Sequence, residues 1–304
     1  MCDYVRVKPS HIQWSFAAWG RHADFLLRYH LPSMMVETNL PALREIAPLK
    51  ARVYTDAETL PVIRESLQAV AGYFDGIEAE MLPPNDFPHP SFLMSRAQWK
   101  AAELAQRENA ALVWTFPDTI VASGSYAHVS SKVKEGYRAC LWQGPTMREE
   151  AAEIFDFRGS RWADVPYFDL LMATLNGIHP LVAQRVEPGN IGWPSMLCKL
   201  GPDWITQRTF HPNPIYIYPR RHPHEWQDSL DGTYTGSSGL AWDECCRMTE
   251  PGFFWSEVAP DSKRERQGVE RSWDDASLKT WADRNGIPEW NRKEFELTYR
   301  FQAP

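Results

Sequence analysis

Residues 110–150 decide the fold and read AALVWTFPDTIVASGSYAHVSSKVKEGYRACLWQGPTMREE. A run of strand-forming residues ends at Pro117-Asp118, a short helical pattern follows, and a second apolar run over residues 137–142 ends before Gln143. This is the pattern of a strand, a crossover helix and a parallel strand. In open α/β sheets, ligands bind where the carboxyl ends of the strands meet the following loops. Asp118 is therefore the first candidate for a ligand-binding residue.

The same alternation of strand and helix continues through residues 10–160 and predicts an α/β fold with a mainly parallel sheet flanked by helices. The first strand is expected over residues 12–19 and closes at Gly20, and the helix that follows is expected to end at Pro32. The remaining predicted elements are a strand over residues 51–54, helices over 91–107, 146–155, 164–176 and 274–284, and a final strand over 294–301.

Two four-residue segments have the sequence of a helix capping box. They are Thr55-Asp56-Ala57-Glu58 and Thr146-Met147-Arg148-Glu149. In such a box the threonine and glutamate side chains each accept the backbone amide proton of the other residue. Both segments are therefore predicted to open a helix directly after a strand.

The sequence changes character over residues 188–260, where proline and glycine are frequent and helical periodicity fades. Short strands are predicted there over residues 204–210 and 215–218. We expect residues 1–186 to form the ligand-binding α/β core, and residues 187–304 to be a loop-rich C-terminal lobe of the same domain. That lobe would cover one end of the sheet, on the acceptor side.

Composition narrows the class of protein. The 304 residues are 43% hydrophobic and 23% charged, which is ordinary for a globular chain, and the net charge of −7 argues against a nucleic-acid partner. No apolar run approaches the roughly 20 residues of a transmembrane helix, and the first residues lack the apolar core of a secretory signal. These features predict a cytoplasmic protein without a transmembrane segment.

Several common catalytic motifs are missing from the sequence. There is no glycine-rich phosphate loop of the ATPase or dinucleotide type, no H-E-x-x-H and no G-x-S-x-G. The five cysteines are scattered without a C-x-x-C pair, so a structural zinc site is not favoured. The motifs therefore disfavour ATPases, classical dehydrogenases, metalloproteases and serine hydrolases.

A resemblance extends over roughly residues 12–260. It is carried by the blocks WSFAAWG, LLRYHLPSMMVETNLPAL, ARVYTDAE, ALVWTFPDTIVASGSYAHV, GYRACLWQGPTMREE, HPLV, TFHPNPIYIYP and DGTY. Together these blocks resemble bacterial glycosyltransferase-like proteins of the GT-A type, within the nucleotide-diphospho-sugar transferase superfamily. The resemblance implies a Rossmann-like GT-A fold and a nucleotide-sugar donor.

The resemblance also implies a metal site, and the sequence departs from it there. GT-A proteins hold Mg²⁺ or Mn²⁺ on the donor diphosphate with a D-x-D motif at the end of a middle strand, because adjacent phosphates repel unless neutralised. Here Asp118 stands alone at that place, and no D-x-D occurs in the chain. Asp118 could hold a hydrated cation or a ribose hydroxyl, or serve as a loop or helix-cap residue. His211 is the second candidate metal ligand, with a structural histidine as its alternative.

Other donor-binding candidates follow predicted strands. Thr55 and Asp56 could contact the base or ribose, although a helix cap alone would also explain them. Arg148 could meet a phosphate or remain a solvated helix residue.

Trp19 ends the first predicted strand and Gly20 follows it, and the indole of Trp19 could stack on the ligand or belong to the core. Ser123 and Gly124 are interpreted as a helix start and not as a nucleophile site, and they complete the set of donor-binding candidates.

A catalytic carboxylate would come from the C-terminal lobe. An inverting transferase needs a base beside the acceptor hydroxyl, and Asp231 and Glu257 are the candidates. Either could instead be a loop anchor.

The sequence thus predicts a glycosyltransferase that moves a sugar from a nucleotide-diphospho-sugar to a glycan, lipid or protein acceptor. The alternatives are a non-catalytic GT-A-like binding or scaffold protein and a nucleotidyltransferase-like enzyme. A nucleotidyltransferase usually has a glycine-rich basic loop after its first strand, and this sequence lacks one.

Overall fold

The computed structural model describes residues 8–82, 90–178, 196–200, 204–209, 212–223, 230, 232–248, 252–260, 276, 279–280, 283 and 299–302. The strands in this part of the chain are β1 (Ile12–Ala17), β2 (Leu49–Thr55), β3 (Gly76–Met81), β4 (Ala111–Trp114), β5 (Thr119–Val121), β6 (Ala139–Trp142), β7 (Thr146–Arg148), β8 (Met196–Leu200), β9 (Trp204–Thr209), β10 (Asn213–Ile217), β11 (Cys245–Arg247), β12 (Trp255–Ala259) and β13 (Tyr299–Gln302). The α-helices are α1 (Arg21–Phe25), α2 (Leu31–Met34), α3 (Leu60–Ala69), α4 (Pro90–Arg107), α5 (Ser125–Glu135), α6 (Glu149–Ala152), α7 (Tyr167–Asn176) and α8 (Gly232–Ser237). A π-helical turn spans Leu26–His30, and 3₁₀ turns span Leu40–Glu45, Ala71–Tyr73, Glu153–Phe155 and Trp242–Glu244.

A seven-stranded central sheet has the order β11-β6-β10-β4-β1-β2-β3. The four strands β3, β2, β1 and β4 are all parallel, and their order is that of strands 3-2-1-4 in a doubly wound α/β sheet. Every residue of β1 is buried, as expected for a strand covered by helices on both faces. The predicted Rossmann-like α/β fold with a mainly parallel sheet is confirmed.

Strand β10 lies between β4 and β6 and runs antiparallel to both. The two strands of the predicted strand–helix–strand unit are therefore parallel to each other, but they are not neighbours. Strand β11 extends the same sheet beyond β6 in the parallel direction. Strands from after residue 187 thus complete the central sheet.

Two smaller sheets accompany the central one in the described residues. In one, β12 pairs antiparallel with β5 and parallel with β7, so this sheet begins directly after Asp118. In the other, β9 pairs with β8 and β13, and β13 overlaps the predicted strand over residues 294–301, of which 294–298 lie outside the described residues. The described residues of the predicted helix over 274–284 are helical.

Apolar residues cover both faces of the central sheet. On one face α1, the π turn, α2, α5 and α7 pack against strand residues such as Trp14, Val53 and Val113. On the other face α4 and α8 pack against Tyr54 and Trp114, which are the next residues along their strands. The alternation follows from the two-residue side-chain period of a strand. Among the described helices, none is long and apolar enough to cross a bilayer.

The predicted helix end at Pro32 is wrong, because the helical segment continues to Met34. The π turn ends at His30, and Pro32 falls in the first turn of α2. The missing N–H of a proline costs little in a first turn, where that donor has no intrahelical acceptor.

Both predicted capping boxes are also wrong. The Thr55 hydroxyl donates to the carbonyl oxygen of Ala18, at 2.7 Å, and α3 begins only at Leu60. Thr146 lies in β7, and its hydroxyl donates to a carboxylate oxygen of Glu257, at 3.2 Å. In each case the threonine side chain finds its partner on another strand or loop, a long-range contact that a four-residue pattern does not encode.

Candidate functional site

The candidate site lies at the carboxyl edge of the central sheet, between β1 and β4. Strands β2 and β3 lie on one side of β1, whereas β4, β10 and β6 lie on the other. The strand order reverses at β1, and the connections that follow β1 and β4 pack on the same face of the sheet and contact each other there. Open α/β sheets bind ligands at the carboxyl ends of the strands beside such a reversal. The space between the loop after β1 (residues 18–20) and the loop after β4 (residues 115–118) is called the crevice below.

The loop after β1 forms one wall of the crevice. The Ala18 amide donates to the carbonyl oxygen of Tyr54, and the Ala18 carbonyl accepts the Thr55 hydroxyl, so the loop is tied to the end of β2. Gly20 then turns the chain into α1 with φ 53° and ψ −129°, a conformation that residues with a side chain rarely adopt. The turn leaves Trp19 half-buried and directs the start of α1 toward the loop after β4.

Asp118 lies on the opposite wall, immediately before β5. Its backbone oxygen accepts the Val258 amide at 2.6 Å, and its side chain is only 13% exposed. Carboxylate oxygen Oδ2 lies 3.7 Å from Nδ1 of His22, whose side chain is 42% exposed. The loops after β1 and β4 therefore bring an imidazole and a carboxylate together at the mouth of the crevice.

Two arginines lie near this pair. Arg21 begins α1, directly after Gly20, and forms an ion pair with Glu149. Arg148 is exposed and precedes Glu149, so the ion pair brings the backbone of Arg148 toward α1. In the small sheet, Arg148 of β7 pairs with Ala259 of β12. Because β12 lies between β7 and β5, Arg148 is two strand spacings from β5, which is roughly 10 Å. Arg21 is thus held by Glu149 at the start of α1, and Arg148 is an exposed arginine at the margin of the crevice.

Glu257 supplies a second carboxylate close to Asp118. It lies on β12 opposite Thr119, and the next residue, Val258, donates to the Asp118 carbonyl oxygen. The Thr146 hydroxyl donates to Glu257 Oε2 at 3.2 Å, which fixes one carboxylate oxygen.

Aromatic rings pack around Trp255, which lies two residues before Glu257 on β12. The rings of Trp255 and Phe116 meet edge to face with centroids 6.3 Å apart. Trp255 and Trp142 also press on Gly144, where a Cβ would lie 2.5 Å and 2.8 Å from atoms of the two indoles. Gly144 therefore allows the loop after β6 to pass directly over the two rings.

A buried histidine holds the loop that carries Asp118. His30 is fully buried, with Nε2 2.9 Å from Thr115 Oγ1 and Nδ1 3.2 Å from the Thr119 carbonyl oxygen. Burial lowers the pKa of His30 from 6.5 to about 3, and the hydrogen bond to Thr119 opposes that shift only in part. His30 is therefore neutral at physiological pH.

The other predicted donor-binding residues make structural contacts. The Asp56 carboxylate accepts the Thr59 amide at 2.7 Å, in a local turn before α3. Ser123 exchanges hydrogen bonds with the backbone of Val165 at 2.8 and 2.9 Å, and Gly124 precedes α5 with φ 89°. The candidates that the structure brings to one crevice are Trp19, Gly20, Asp118, Glu257 and, at its margin, Arg148. Thr55 and Asp56 lie at the end of the neighbouring strand.

Two predicted residues, His211 and Asp231, lie outside the described residues. Asn213, at the start of β10, pairs with Trp142 at the carboxyl end of β6. Among the described residues, no group of three or more His, Cys, Asp or Glu side chains could hold a metal ion.

Sequence reasoning missed Arg21, His22 and His30. The signal for the first two was their position directly after Gly20, where a helix start faces the crevice. The signal for His30 was weaker, because a histidine that precedes a predicted helix stop is normally expected at the surface.

A separate cleft of about 320 Å³ lies between β2, β3 and α4. Its walls carry both signs of charge, and Arg52 and Lys100 pair there with Glu78 and Glu80. Because these charges are largely neutralised within the wall, the cleft offers little attraction to a charged ligand.

Comparisons with known proteins give structural similarity but no match to a family. No protein-family model matches it, and no curated protein sequence matches it. Among solved structures, it is similar to a Bacillus anthracis protein assigned as a glucose-1-phosphate thymidylyltransferase, in complex with a sucrose, with a TM-score of 0.30 and 11% identity. That match covers 44% of this chain and 55% of the other, so it spans little more than half of that protein's length.

Proposed function

We propose that the protein is a glycosyltransferase that binds a nucleotide-diphospho-sugar in the crevice between β1 and β4. One observation carries the proposal: a largely buried carboxylate, Asp118, lies beside His22 at the point where the strand order reverses. Asp118 lies in the four-residue connection between β4 and β5, and His22 lies in α1, which follows β1 after a three-residue connection. Such connections position polar groups more accurately than long loops do.

In this proposal the donor lies across the carboxyl edge. Trp19 is half-buried beside the end of β1 and offers a ring face for a nucleobase or sugar. Asp118 accepts a ribose hydroxyl or binds a hydrated cation. Arg21, His22 and Arg148 face the diphosphate, whose negative charge grows as it leaves.

The residues around Asp118 fit a divalent cation that is bound mainly by the phosphates of the donor. Mg²⁺ in nucleotide sites is usually bound by one or two carboxylates together with substrate phosphates and water. Asp118 supplies one such carboxylate, and His22 Nδ1 lies 3.7 Å from it. Bound Mg²⁺ or Mn²⁺ would neutralise the diphosphate. The described residues do not form a metal site independent of substrate.

The reaction would be a displacement at the anomeric carbon of the donor sugar. Glu257 lies on β12 opposite Thr119, the residue after Asp118, and one of its carboxylate oxygens is fixed by Thr146. A fixed carboxylate beside the donor can accept the proton of an acceptor hydroxyl as that oxygen attacks. Phe116 and Trp255 would exclude water from the same space. Asp231 remains a second candidate base.

Calorimetry tests the proposal. UDP-, GDP- and CDP-sugars are titrated into the protein with and without Mn²⁺, and at least one should bind. Asp118→Asn should weaken that binding roughly ten- to hundred-fold, since a hydrogen bond to a charged group is worth about 1.5–3 kcal/mol. Asp75→Asn is the matched control, because Asp75 is 42% exposed and accepts the Leu49 amide at the opposite edge of the sheet. Absence of binding for every donor would refute the proposal.

A non-catalytic donor-binding protein is the second candidate. The lack of a D-x-D motif at Asp118 and the lack of a three-residue metal cluster in the described part of the chain favour it. Donor binding without transfer and without hydrolysis of the donor, tested with Mg²⁺ and Mn²⁺, would decide for this candidate.

A further inference from the structure

The buried imidazole of His30 is the centre of a hydrogen-bonded network that surrounds the Asp118 loop. The Trp14 indole donates to Thr115 Oγ1 at 2.9 Å, and the same oxygen lies 2.9 Å from His30 Nε2. On the other side of the ring, Nδ1 lies 2.9 Å from Thr119 Oγ1 and 3.2 Å from the Thr119 carbonyl oxygen. The Thr119 hydroxyl donates to the Phe116 carbonyl oxygen at 2.7 Å.

These contacts fix the direction of every proton in the network. The Phe116 carbonyl oxygen can only accept, so the Thr119 hydroxyl donates to it, and His30 Nδ1 must then donate to Thr119. Nε2 is left as an acceptor, which matches a Thr115 hydroxyl that accepts from Trp14 and donates onward. A single neutral tautomer satisfies all of the groups. A protonated ring would take away the acceptor of the Thr115 hydroxyl.

The network binds both ends of the segment 116–118, which carries Asp118. Thr115 and Thr119 bracket residues 116–118, and both are bound to the same imidazole. Ser33, one turn after His30, continues the attachment, because its hydroxyl oxygen accepts the Val121 amide at 3.2 Å. Both ends of the loop are therefore attached to the helical segment that carries His30.

The same helical segment also carries the other half of the site. His22 in α1 and His30 in the π turn belong to one continuous segment that starts at Gly20. Attachment of His30 to the Asp118 loop therefore also sets where His22 stands relative to Asp118. π turns within helices occur frequently at functional sites, where they redirect a side chain.

We infer that His30 is a positioning residue, which holds the loop of Asp118 against the segment of His22 and so preorganises the donor site. This inference rests on the proposed function for its consequence in donor binding. Its structural core, that His30 immobilises the Asp118 loop, stands on the hydrogen bonds alone. A buried imidazole that only filled space could be replaced by an apolar side chain of similar size without effect on the loop.

The first test needs no ligand. Hydrogen exchange is followed at the Val258 amide, which donates to the Asp118 carbonyl oxygen, in wild type and in His30→Leu and Thr115→Val. Both variants should accelerate exchange at Val258 by about ten-fold or more, whereas amides in the middle of β2 should stay protected. His11→Asn is the matched control, because His11 is 5% exposed at the opposite edge of the sheet. Unchanged exchange at Val258 in both variants would overturn the inference.

The second test separates positioning from general stability. Donor affinity is measured for His30→Leu, Asp118→Asn and the double variant. His30→Leu should weaken binding about ten-fold in the wild-type background and less than about two-fold beside Asp118→Asn, because residues that act through one backbone segment couple. Thr115→Val should behave in the same way, and His30→Asn, which keeps a donor toward Thr119, should recover part of the affinity. Equal loss in both backgrounds would overturn the positioning role. If wild type binds no sugar nucleotide, the proposed function fails, while the exchange experiment still decides whether His30 holds the loop.

Discussion

Acid should destabilise this protein through His30 more than through an ordinary histidine. The pKa of the buried ring is lowered from 6.5 to about 3, chiefly by burial. The unfolded chain therefore binds a proton on His30 over a pH range in which the folded chain does not. The stability that comes from the neutral ring is fully present above about pH 6.5 and is lost as the pH falls toward 3.

The two pKa values give the magnitude. Between pH 7 and pH 4.5 the free energy of unfolding should fall by about 2.5 kcal/mol on account of His30 alone, with a limiting slope of about 1.4 kcal/mol per pH unit. Urea denaturation at several pH values measures it. His30→Asn cannot titrate in this range, so the difference between the wild-type and variant curves isolates the contribution of the ring.

Parallel wild-type and variant curves would refute this reasoning. They would mean that the ring is hydrated or titrates normally in the folded state, and the single-tautomer network would then be wrong as well. His30→Gln is a second non-titrating variant that guards against a local packing effect of asparagine. Both variants are expected to be less stable than wild type at pH 7 and closer to it at pH 4.5.

Two other predictions follow from contacts elsewhere. Gly177→Ala should lower the free energy of unfolding by about 1–3 kcal/mol in urea denaturation, because the new methyl carbon would lie 2.0 Å from Cβ of Ala151. Gly72→Ala, where no heavy atom lies within 4 Å of the new carbon, should change it by less than about 0.5 kcal/mol, and equal losses in the two variants would contradict the packing. Thr146→Val should lower the turnover number and leave donor affinity within about two-fold. The Thr146 hydroxyl contacts the carboxylate of Glu257, the proposed base, and none of the residues proposed to bind the donor. A change in donor affinity alone would argue against Glu257 as the base.

Local patterns predicted the parallel half of the fold. The apolar runs of β1 and β2, the long helix α4 and the unit from β4 to β6 are encoded by periodicity within a few turns or strands. Asp118 was predicted as a site residue for the same reason, since a residue after a strand of a parallel sheet lies at the ligand-binding edge.

Long-range pairing was not predictable in the same way. Strand β10 is short, and nothing in its own residues says that it enters between β4 and β6. The pairing of β12 with β5, which brings Glu257 beside Asp118, likewise joins residues far apart in the chain. Thr55 shows the effect at a single side chain, because its hydroxyl binds Ala18 on another loop and not the amide of a helix start.

His30 was not predicted as a site residue because the sequence does not indicate that its side chain is buried. In the sequence His30 is a polar residue two positions before Pro32, a pattern that predicts a helix end at the protein surface. In the structure the π turn rotates it into the interior, where Thr115 and Thr119 satisfy both ring nitrogens. Such a partner set depends on how two distant segments pack and cannot be read from either segment alone.

The place of β10 also has a consequence for how the chain folds. Asn213 pairs with Trp142, 71 positions earlier, so the growing chain can close the middle of the central sheet only after β10 has been made, and among the described strands only the edge strand β11 joins that sheet later. Until then β4 and β6 present unpaired edges toward each other, and closing the intervening loop slows their pairing. During synthesis the gap between β4 and β6 is therefore where a wrong strand, from this chain or from a neighbouring one, would insert first.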